Sequence, residues 1–421
     1  MTENILIKNI REILITEMPS DGPLRGSAMS RPGRLPDAWI MIREGRIERL
    51  GNMRDFPRHE EAAEYRLIDA SGKFVIPAFC DSHTHIVYAG SREQEFVDKI
   101  SGLSYEEIAT RGGGILNSVA LLRRTSEEEL YRQAYLRVRE VMCQGTGSLE
   151  IKSGYGLSPE DELKMLRVIR RLKETTPLTI KATFLGAHAI PEEYRSDREE
   201  YIRILLFEMI PAVASEGLAD FIDVFCDKGF FSVEETERIL MTGIKYGLRP
   251  KIHANELDYS GGVQTGVKYD ALTVDHLERT GREELEALEA SETIATLLPG
   301  ASFFLSLPDP PVREMIRRNI PIALASDYNP GSSPSGNMKL MMSLACIRWK
   351  MLPAEALTAA TINGAWAMDV PDETGSIEPG KRADIIITKS MPSFEFFPYA
   401  FGSDLIDTVI LGGEVVHSGN R

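Results

Sequence analysis

The sequence predicts an α/β protein built on a (β/α)8 TIM barrel, with a small β-sandwich domain formed by the N- and C-terminal segments. Short apolar runs alternate with helical patterns through the middle of the chain, and strand-like segments with turns occupy both ends. The length of 421 residues also exceeds the usual size of one domain. We therefore expect a composite β domain from residues 1–78 and 379–421, and a barrel from residues 79–378.

Both ends of the chain contain short predicted strands that are separated by turns. Residues 39–42 and 47–50 are apolar or alternating runs on either side of Glu44-Gly45-Arg46, a pattern that is typical of a β-hairpin. Similar runs return at 383–388 and 409–416, so we expect the termini to pair in one domain. Residues 20–37, which are rich in glycine and proline, predict an irregular insertion.

The central region supplies about eight βα units, as a (β/α)8 barrel requires. The predicted strands lie at 75–79, 149–151, 179–185, 221–225, 251–253, 272–274, 294–298 and 322–325. Helix starts are indicated by Ser126 with Glu129 and by Ser232 with Glu235, which have the spacing of a capping box. An open doubly wound sheet is the alternative fold, but its glycine fingerprint after a strand is missing from the sequence.

Composition limits the classes of partner. The formal net charge of −15, from 48 basic and 63 acidic residues, argues against nucleic acid or an anionic membrane. The four cysteines are far apart and lack CxxC spacing, so reduced thiols are expected. The N-terminus lacks the pattern of a signal peptide, and no run is long enough to span a bilayer. We expect a cytoplasmic homodimer that acts on a small molecule.

Two histidines follow the first predicted barrel strand. His83 and His85 are two positions apart, and residues with this spacing share one face of a strand. Imidazole is a good ligand for zinc or iron. Surface imidazoles could have the same spacing, but five of the seven histidines, His83, His85, His188, His253 and His276, fall at the ends of four apolar runs. The sequence therefore predicts a metal site.

Polar residues at the other strand ends would meet at one mouth of a barrel. They are Lys152, Tyr155, His188, His253, Glu256, His276, Asp327 and Asn329. His253 could be a third imidazole ligand and Asp327 a carboxylate ligand, which together with water would form a hydrolytic metal site. Taken alone, His188 would more often be a core histidine and Asp327 a helix N-cap.

Lys152 has two interpretations. A lysine at a strand end can be carboxylated and bridge two metal ions, or it can form a buried ion pair with Glu150 or a neighbouring aspartate. We favour the structural ion pair.

Several motifs extend these patterns. In chain order they are Asp-Ser-His-Thr-His, Ser-Arg-Glu-Gln-Glu-Phe, Arg-Gly-Gly-Gly-Ile-Leu, Glu-Ile-Lys-Ser-Gly-Tyr-Gly-Leu, Thr-Phe-Leu-Gly-Ala-His-Ala-Ile-Pro, Lys-Ile-His-Ala-Asn-Glu, Asp-His-Leu, Leu-Leu-Pro-Gly-Ala, Ser-Asp-Tyr-Asn-Pro-Gly-Ser and Gly-Ser-Ile-Glu-Pro-Gly-Lys-Arg-Ala-Asp. From about Ile5 to the C-terminus, the chain closely resembles the imidazolonepropionase family of the amidohydrolase superfamily. The Lys-Ser-Gly-Tyr-Gly-Leu and Phe-Leu-Gly-Ala-His motifs are more specific than the paired histidines.

The resemblance implies a hydrolase that opens the cyclic amide of 4-imidazolone-5-propanoate with metal-activated water. The product would be N-formimidoyl-L-glutamate, in the third step of histidine degradation. By the family pattern, one divalent zinc or iron ion would be bound by His83, His85, His253 and Asp327. The substrate would be bound by Arg92, Tyr155, His188, Glu256, Asn329, Gly331 and Ser332. Ser91 stands where the family often has aspartate, and the insertion near residues 20–37 is longer than usual, but neither involves a proposed ligand.

The chemistry of these side chains agrees with the resemblance. Arg92 offers a planar guanidinium for the propanoate carboxylate, although an arginine paired with Glu93 or Glu95 at the surface is the alternative. Either Asp327 or Glu256 can accept a proton from water, and His276 can stabilise charge on the carbonyl oxygen. Glu256, His276 and Asp327 are therefore the catalytic candidates, and the choice of base between the two carboxylates stays open.

Two other functions are compatible with the same pattern. A mononuclear aminohydrolase of the cytosine or guanine deaminase type would use similar ligands but attacks an exocyclic amine. Such an enzyme has no need of a carboxylate-binding arginine, so Arg92 and Tyr155 distinguish the two activities. A non-catalytic metal-containing binding protein on the same barrel would hold metal and ligand without releasing product.

Overall fold

A computed structural model describes residues 3–103 and 113–419, so Arg111 and Gly112 of the Arg-Gly-Gly-Gly motif lie outside the described residues. The N-terminal region contains the strands β1 (Ile5–Leu14), β2 (Arg34–Arg43), β3 (Arg46–Asn52), β4 (Arg66–Asp69) and β5 (Phe74–Pro77). The predicted hairpin is present between β2 and β3. Glu44 and Gly45 form its turn with φ values of 51° and 79°, the positive values that suit the twist of a two-residue hairpin loop.

The predicted insertion is shorter than expected, because β2 already begins at Arg34. The rest of it contains a 3₁₀ turn, Gly26–Ser30, and packs on the outside of the barrel. Asn363 holds this segment in place: its Oδ1 accepts a hydrogen bond from the Leu24 N–H at 2.9 Å, and its Nδ2 donates to the Leu24 carbonyl oxygen at 2.9 Å.

The barrel is formed by strands that are buried on both faces, as parallel strands covered by helices require. They are β6 (Phe79–Thr84), β7 (Thr146–Lys152), β8 (Thr179–Ala187), β9 (Phe221–Cys226), β10 (Arg249–Pro250), β11 (Ile252–Ala254), β12 (Thr273–His276), β13 (Ile294–Leu297) and β14 (Ile322–Leu324). The order around the barrel is β6-β7-β8-β9-β11-β12-β13-β14, with β10 beside β9. The Asp327 N–H donates to the His83 carbonyl oxygen and the His85 N–H to that of Tyr328, both at 3.0 Å. These bonds link the two ends of the sheet and confirm the barrel.

One predicted strand is divided between the two sheets. The run at 75–79 lies partly in β5, and the barrel strand begins only at Phe79 and continues through His83. The chain passes from one sheet to the other at Ala78, whose N–H donates to the carbonyl oxygen of Asp384 at 2.9 Å. His83 therefore lies inside the first barrel strand.

The C-terminal region returns to the first sheet, as predicted. It contributes β15 (Ile385–Thr388), β16 (Ile406–Leu411) and β17 (Glu414–Ser418). The strand order is β17-β16-β15-β5-β1-β2-β3, with β4 paired to β1, so β5 joins the two ends of the chain. The strands form one continuous mixed sheet, and its buried isoleucines make a hydrophobic cluster of their own.

Helices surround the barrel and follow its strands. The α-helices of the described residues are His59–Ala62, Glu93–Ile100, Ile115–Arg124, Glu127–Cys143, Pro159–Thr175, Arg198–Ile204, Ile210–Ser215, Val233–Lys245, Gly262–Lys268, Arg282–Glu289, Pro299–Phe304, Val312–Arg317, Met338–Ile347, Pro353–Ala360, Ile362–Ala367 and Phe396–Tyr399. A π-helical turn, Leu205–Met209, joins two of them, and short 3₁₀ turns lie at Met53–Asp55 and Glu192–Tyr194. Within the described ranges, none of these helices has both the length and the apolar character needed to cross a membrane.

Of the two predicted capping boxes, one is complete and the other is incomplete. Ser232 and Glu235 form a complete capping box, in which each side chain accepts the other residue's backbone N–H. Ser126 accepts the Glu129 N–H at 3.3 Å, but the Glu129 carboxylate contacts Arg132 instead of the Ser126 backbone. The second box is therefore only half formed, because a nearby guanidinium competes for the glutamate.

Candidate functional site

Four polar side chains converge at the C-terminal end of the barrel. His83 lies in β6, His85 directly follows it, His253 lies in β11 and Asp327 follows β14. His85 Nε2 is 3.3 Å from His83 Nε2 and 3.4 Å from His253 Nε2. Asp327 Oδ1 is 3.5 Å from the Nε2 atoms of both His83 and His85. All four are buried, so the structure brings the four predicted metal ligands together.

These nitrogen atoms cannot all be satisfied by hydrogen bonds to one another. His83 Nδ1 lies 2.6 Å from Asp275 Oδ2, and His253 Nδ1 lies 3.0 Å from Asp223 Oδ2. When each Nδ1 donates to its carboxylate, each Nε2 presents a lone pair. His85 Nε2 lies between these lone pairs and can donate to only one of them. Burial holds the pKa of His83 and His85 well below the ordinary value, so both are neutral. Converging neutral imidazoles beside a carboxylate fit a divalent cation.

Lys152 lies behind the ligands in a buried ion network. Its Nζ is 2.6 Å from Glu150 Oε1, 2.8 Å from Asp223 Oδ2 and 3.5 Å from Asp275 Oδ2. Burial alone would lower the pKa of Lys152, but these carboxylates outweigh it and raise the pKa. A carboxylated lysine would place a further negative charge against three carboxylates. The geometry therefore favours the ion pair over a metal bridge.

The sequence interpretation missed the aspartates that support the histidines. Asp223 stands inside the apolar run Phe-Ile-Asp-Val-Phe, and Asp275 directly precedes His276. Both are fully buried, and each contacts a histidine ligand as well as Lys152. An acidic residue within a strand buried on both faces needs a cationic or hydrogen-bonding partner, and this signal could have identified them.

His276 stands beside the ligands between two glutamates. Its Nε2 lies 3.7 Å from Glu256 Oε2, and its Nδ1 lies 3.5 Å from Glu278 Oε2. Burial raises the pKa of Glu256 to about 7. Burial would lower the pKa of His276, but the carboxylates of Glu256 and Glu278 outweigh it and raise the pKa to about 10. Between these two values the pair is an imidazolium next to a carboxylate.

Glu278 is a second residue that the sequence interpretation missed. It is buried and accepts a hydrogen bond from Ser302 Oγ at 2.8 Å, which fixes it beside His276. The backbone here is also unusual, because His276 and Asp327 have φ values of 83° and 54°. Such values are uncommon outside glycine and cluster at functional sites.

A cavity of about 1290 Å³ opens over this centre. Its lining includes every predicted substrate-binding residue: Arg92, Tyr155, His188, Glu256, Asn329, Gly331 and Ser332. The wall also contains apolar side chains such as Ile115, Leu116, Phe225 and Phe230. A concave cavity in which apolar walls accompany convergent polar groups is typical of a small-molecule site.

His188 and Tyr155 form one wall. The His188 ring stacks on that of His85 with centroids 5.2 Å apart, and the Tyr155 ring lies 5.4 Å from it. Burial lowers the pKa of His188 to about 3, and its Nδ1 lies 3.0 Å from the Gly154 carbonyl oxygen. His188 is therefore a neutral imidazole with Nε2 left as an acceptor.

Arg92 lines the cavity and is also paired. Its Nε and Nη2 donate to Glu95 Oε2 at 2.9 Å and 2.6 Å. The alternative pairing of Arg92 with Glu95 is thus present, but it occupies only one side of the guanidinium. The Nη1 atom packs against Gly331, where a Cβ would lie only 2.1 Å away. Glycine is needed at this position because Arg92 approaches its backbone so closely.

Asn329 and Ser332 organise the turn that carries Asp327. Asn329 Oδ1 accepts the N–H groups of Gly331 and Ser332 at 2.7 Å and 2.8 Å, and its Nδ2 donates to the Asp327 carbonyl oxygen at 2.7 Å. Ser332 Oγ donates to Asp327 Oδ2 at 2.9 Å. These bonds orient the Asp327 carboxylate, with Oδ1 toward the histidines.

The chain is similar in sequence to known hydrolases. Residues 245–416 match the model of the amidohydrolase family. The imidazolonepropionase of Flavobacterium johnsoniae is 53% identical over 411 residues, covering 98% of this chain and 99% of that protein. That of Christiangramia forsetii is 52% identical, covering 98% and 100%. That of Brevibacillus brevis is 40% identical over the full length of both chains, 100% of each.

Solved structures support the fold at much lower identity. E. coli guanine deaminase superimposes with a TM-score of 0.75 at 14% identity, covering 100% of both chains. A triazine hydrolase variant gives a TM-score of 0.73 at 16% identity, covering 99% of this chain and 95% of that one. At such low identity these similarities concern the fold alone.

Proposed function

Because this chain belongs to the imidazolonepropionase family, we propose that its barrel cavity binds 4-imidazolone-5-propanoate and hydrolyses it to N-formimidoyl-L-glutamate, the third step of histidine degradation. Water adds to the ring carbonyl carbon, the ring C–N bond breaks, and the nitrogen takes up a proton. One observation carries the proposal: a single cavity opens over four convergent ligand atoms and is lined by a guanidinium, Arg92, that can bind the propanoate.

His83, His85, His253 and Asp327 would hold one divalent cation, either zinc or iron. When bound, the cation would supply Lewis-acid polarisation of the carbonyl and lower the pKa of water. The Asp275 carboxylate, 2.6 Å from His83 Nδ1, sets the tautomer of His83, and the Asp223 carboxylate lies 3.0 Å from His253 Nδ1.

The protein is expected to contain one metal ion per chain. Lys152 forms ion pairs with Glu150 and Asp223 and so does not bridge a second ion, and the ligand atoms surround one point. Elemental analysis of the purified protein measures this number. Removal of the metal with a chelator should abolish turnover, and one equivalent of zinc or iron should restore it. Two equivalents per chain, or a carboxylated Lys152 in electron density, would contradict the mononuclear site.

Different side chains around the centre carry out the separate proton transfers of the reaction. Asp327 accepts a proton from the attacking water, since its Oδ1 lies among the histidines. Glu256 donates a proton to the ring nitrogen, which is a poor leaving group until it is protonated. His276 stabilises the negative charge that develops on the carbonyl oxygen, and the Glu278 carboxylate, 3.5 Å from its Nδ1, favours its cationic form.

Arg92→Lys is expected to lower kcat/KM for the propanoate substrate by about tenfold or more, since ammonium cannot reproduce the planar paired hydrogen bonds of guanidinium. Metal content should be unchanged. The measurement is steady-state kinetics with elemental analysis. Arg195→Lys is a matched control, because Arg195 also lines the cavity but is exposed. If Arg92→Lys behaves as the parent does, the carboxylate is anchored elsewhere.

The alternative activities are separated by product analysis. Loss of the imidazolone absorbance on mixing enzyme with substrate supports the hydrolase. Release of ammonia from an exocyclic amine would indicate an aminohydrolase, and binding without product would indicate a non-catalytic protein. Arg92 and Tyr155 in the cavity wall favour the carboxylate-bearing substrate over a deaminase substrate.

We also propose that the enzyme acts in the cytoplasm as a homodimer. Four unbridged cysteines agree with a reducing compartment. Cell fractionation and sedimentation of the purified protein test the two statements separately.

A further inference from the structure

The cavity contains a second cation near Arg92 that the proton transfers do not use. Lys99 lies on the helix Glu93–Ile100, is half-buried and lines the cavity. Its Nζ is 3.5 Å from the carbonyl oxygen of Gly331, the same glycine against which Arg92 packs. The Phe304 ring lies on another side, with its centroid 5.9 Å from Nζ. Arg92 and Lys99 therefore meet at one corner of the cavity.

Among the residues that the structure describes, positive charge exceeds negative charge at this corner. Glu95 is already engaged: its Oε2 accepts two hydrogen bonds from Arg92, and its Oε1 accepts the Gly114 N–H at 2.9 Å. Among residues 3–103 and 113–419, no carboxylate lies within ion-pair distance of Lys99 Nζ. Within the described part of the chain, the two half-buried cations at this corner share the one carboxylate of Glu95, so the corner carries one more positive than negative charge.

Like charges held close together in a partly buried place disfavour each other. The pKa of Lys99 is lowered by burial and by the nearby Arg92 charge, in agreement with this repulsion. A bound anion would relieve it, because it would be attracted by both cations while the cavity excludes much of the competing water.

We propose that Lys99 determines specificity by sharing the substrate carboxylate with Arg92. This inference rests on the proposed function, since it takes the propanoate group as the anion. Arg92 is partly neutralised by Glu95. The Lys99 ammonium therefore supplies the net charge that favours an acid over a neutral amide of the same shape.

The test compares 4-imidazolone-5-propanoate with its uncharged propanamide analogue. Lys99→Gln removes the charge but keeps a side chain with hydrogen-bond donors. KM for the propanoate should rise about tenfold or more, as expected when a hydrogen bond to a charged group is lost, while kcat changes little. Kinetics with the propanamide should be unchanged, so the preference for the acid should shrink by the same factor. Lys99→Arg should restore most of it.

Lys228→Gln is the matched control. Lys228 also lines the cavity, but it is exposed and its Nζ is paired with Asp258 at 2.7 Å, so its loss should leave the preference intact. Thermal melting checks the fold, and Lys99→Met repeats the test if the glutamine variant melts early. Unchanged discrimination in the Lys99 variants, or an equal loss for both substrates, would overturn the inference. Failure of the parent enzyme to hydrolyse the propanoate would instead overturn the proposed function.

Discussion

Glu256→Gln is expected to lower kcat by about 10² or more, the usual contribution of a general acid or base. Glutamine keeps the shape and a hydrogen-bond donor but has no proton to transfer. Metal content should stay at the parental value, because Glu256 is not among the clustered ligand residues of the described chain. Steady-state kinetics on metal-replete protein measures the effect.

The pH profile provides a second measurement of the same residue. Burial raises the pKa of Glu256 to about 7. A general acid must be protonated, so parental kcat/KM, which reports the free enzyme, should fall as the pH rises through about 7, and this limb should be absent from Glu256→Gln. Glu192→Gln, at an exposed position on the cavity lining, should retain both kcat and the limb. Near-parental kcat with an unchanged profile in Glu256→Gln would leave the chemistry to Asp327 and His276.

Lys152→Met is expected to lower the free energy of unfolding by about 3–5 kcal/mol, the range for removal of one partner from a buried ion pair. Lys152 is fully buried, and its loss removes the ammonium that Glu150, Asp223 and Asp275 share, of which Glu150 keeps its contact with Lys251. Urea unfolding of the metal-free protein measures the change.

Lys268→Met provides the contrast, because Lys268 forms an exposed pair with Glu237 and should change stability by less than about 1 kcal/mol. Parental stability of the metal-free Lys152→Met variant, together with a reduced metal content of the variant as purified, would contradict the structural role. That outcome would favour a carboxylated lysine that binds metal.

Much of the fold could be predicted because its signals are local. Apolar runs of strand length, helix caps and the Glu44-Gly45 hairpin turn depend on neighbours in sequence, and each is present in the structure. The exceptions arise where two local patterns join. The run at 75–79 looks like one strand, but its residues are shared between two sheets because the chain crosses between them at Ala78.

The positions of the site candidates could also be predicted, since residues after parallel strands necessarily approach one another at the mouth of a barrel. The hydrogen-bond and ion-pair partners of these residues could not be predicted from the sequence. Glu95, for example, lies three residues from Arg92, but its contact with the Gly114 N–H depends on the fold of the following segment. Glu278 lies beside His276, and Ser302, from a different βα unit, donates a hydrogen bond that orients its carboxylate.

The sequence by itself determined a barrel whose mouth contains three histidines and an aspartate, because periodicity and strand ends are properties of the chain alone. Tertiary structure decided the charge and proton state of that mouth. Lys152 is an ammonium because Glu150, Asp223 and Asp275 surround it, and Lys99 lacks a carboxylate partner within the described residues because Glu95 turns to Arg92. Such states depend on distances between residues far apart in sequence and on burial from water, and neither quantity exists until the chain has folded.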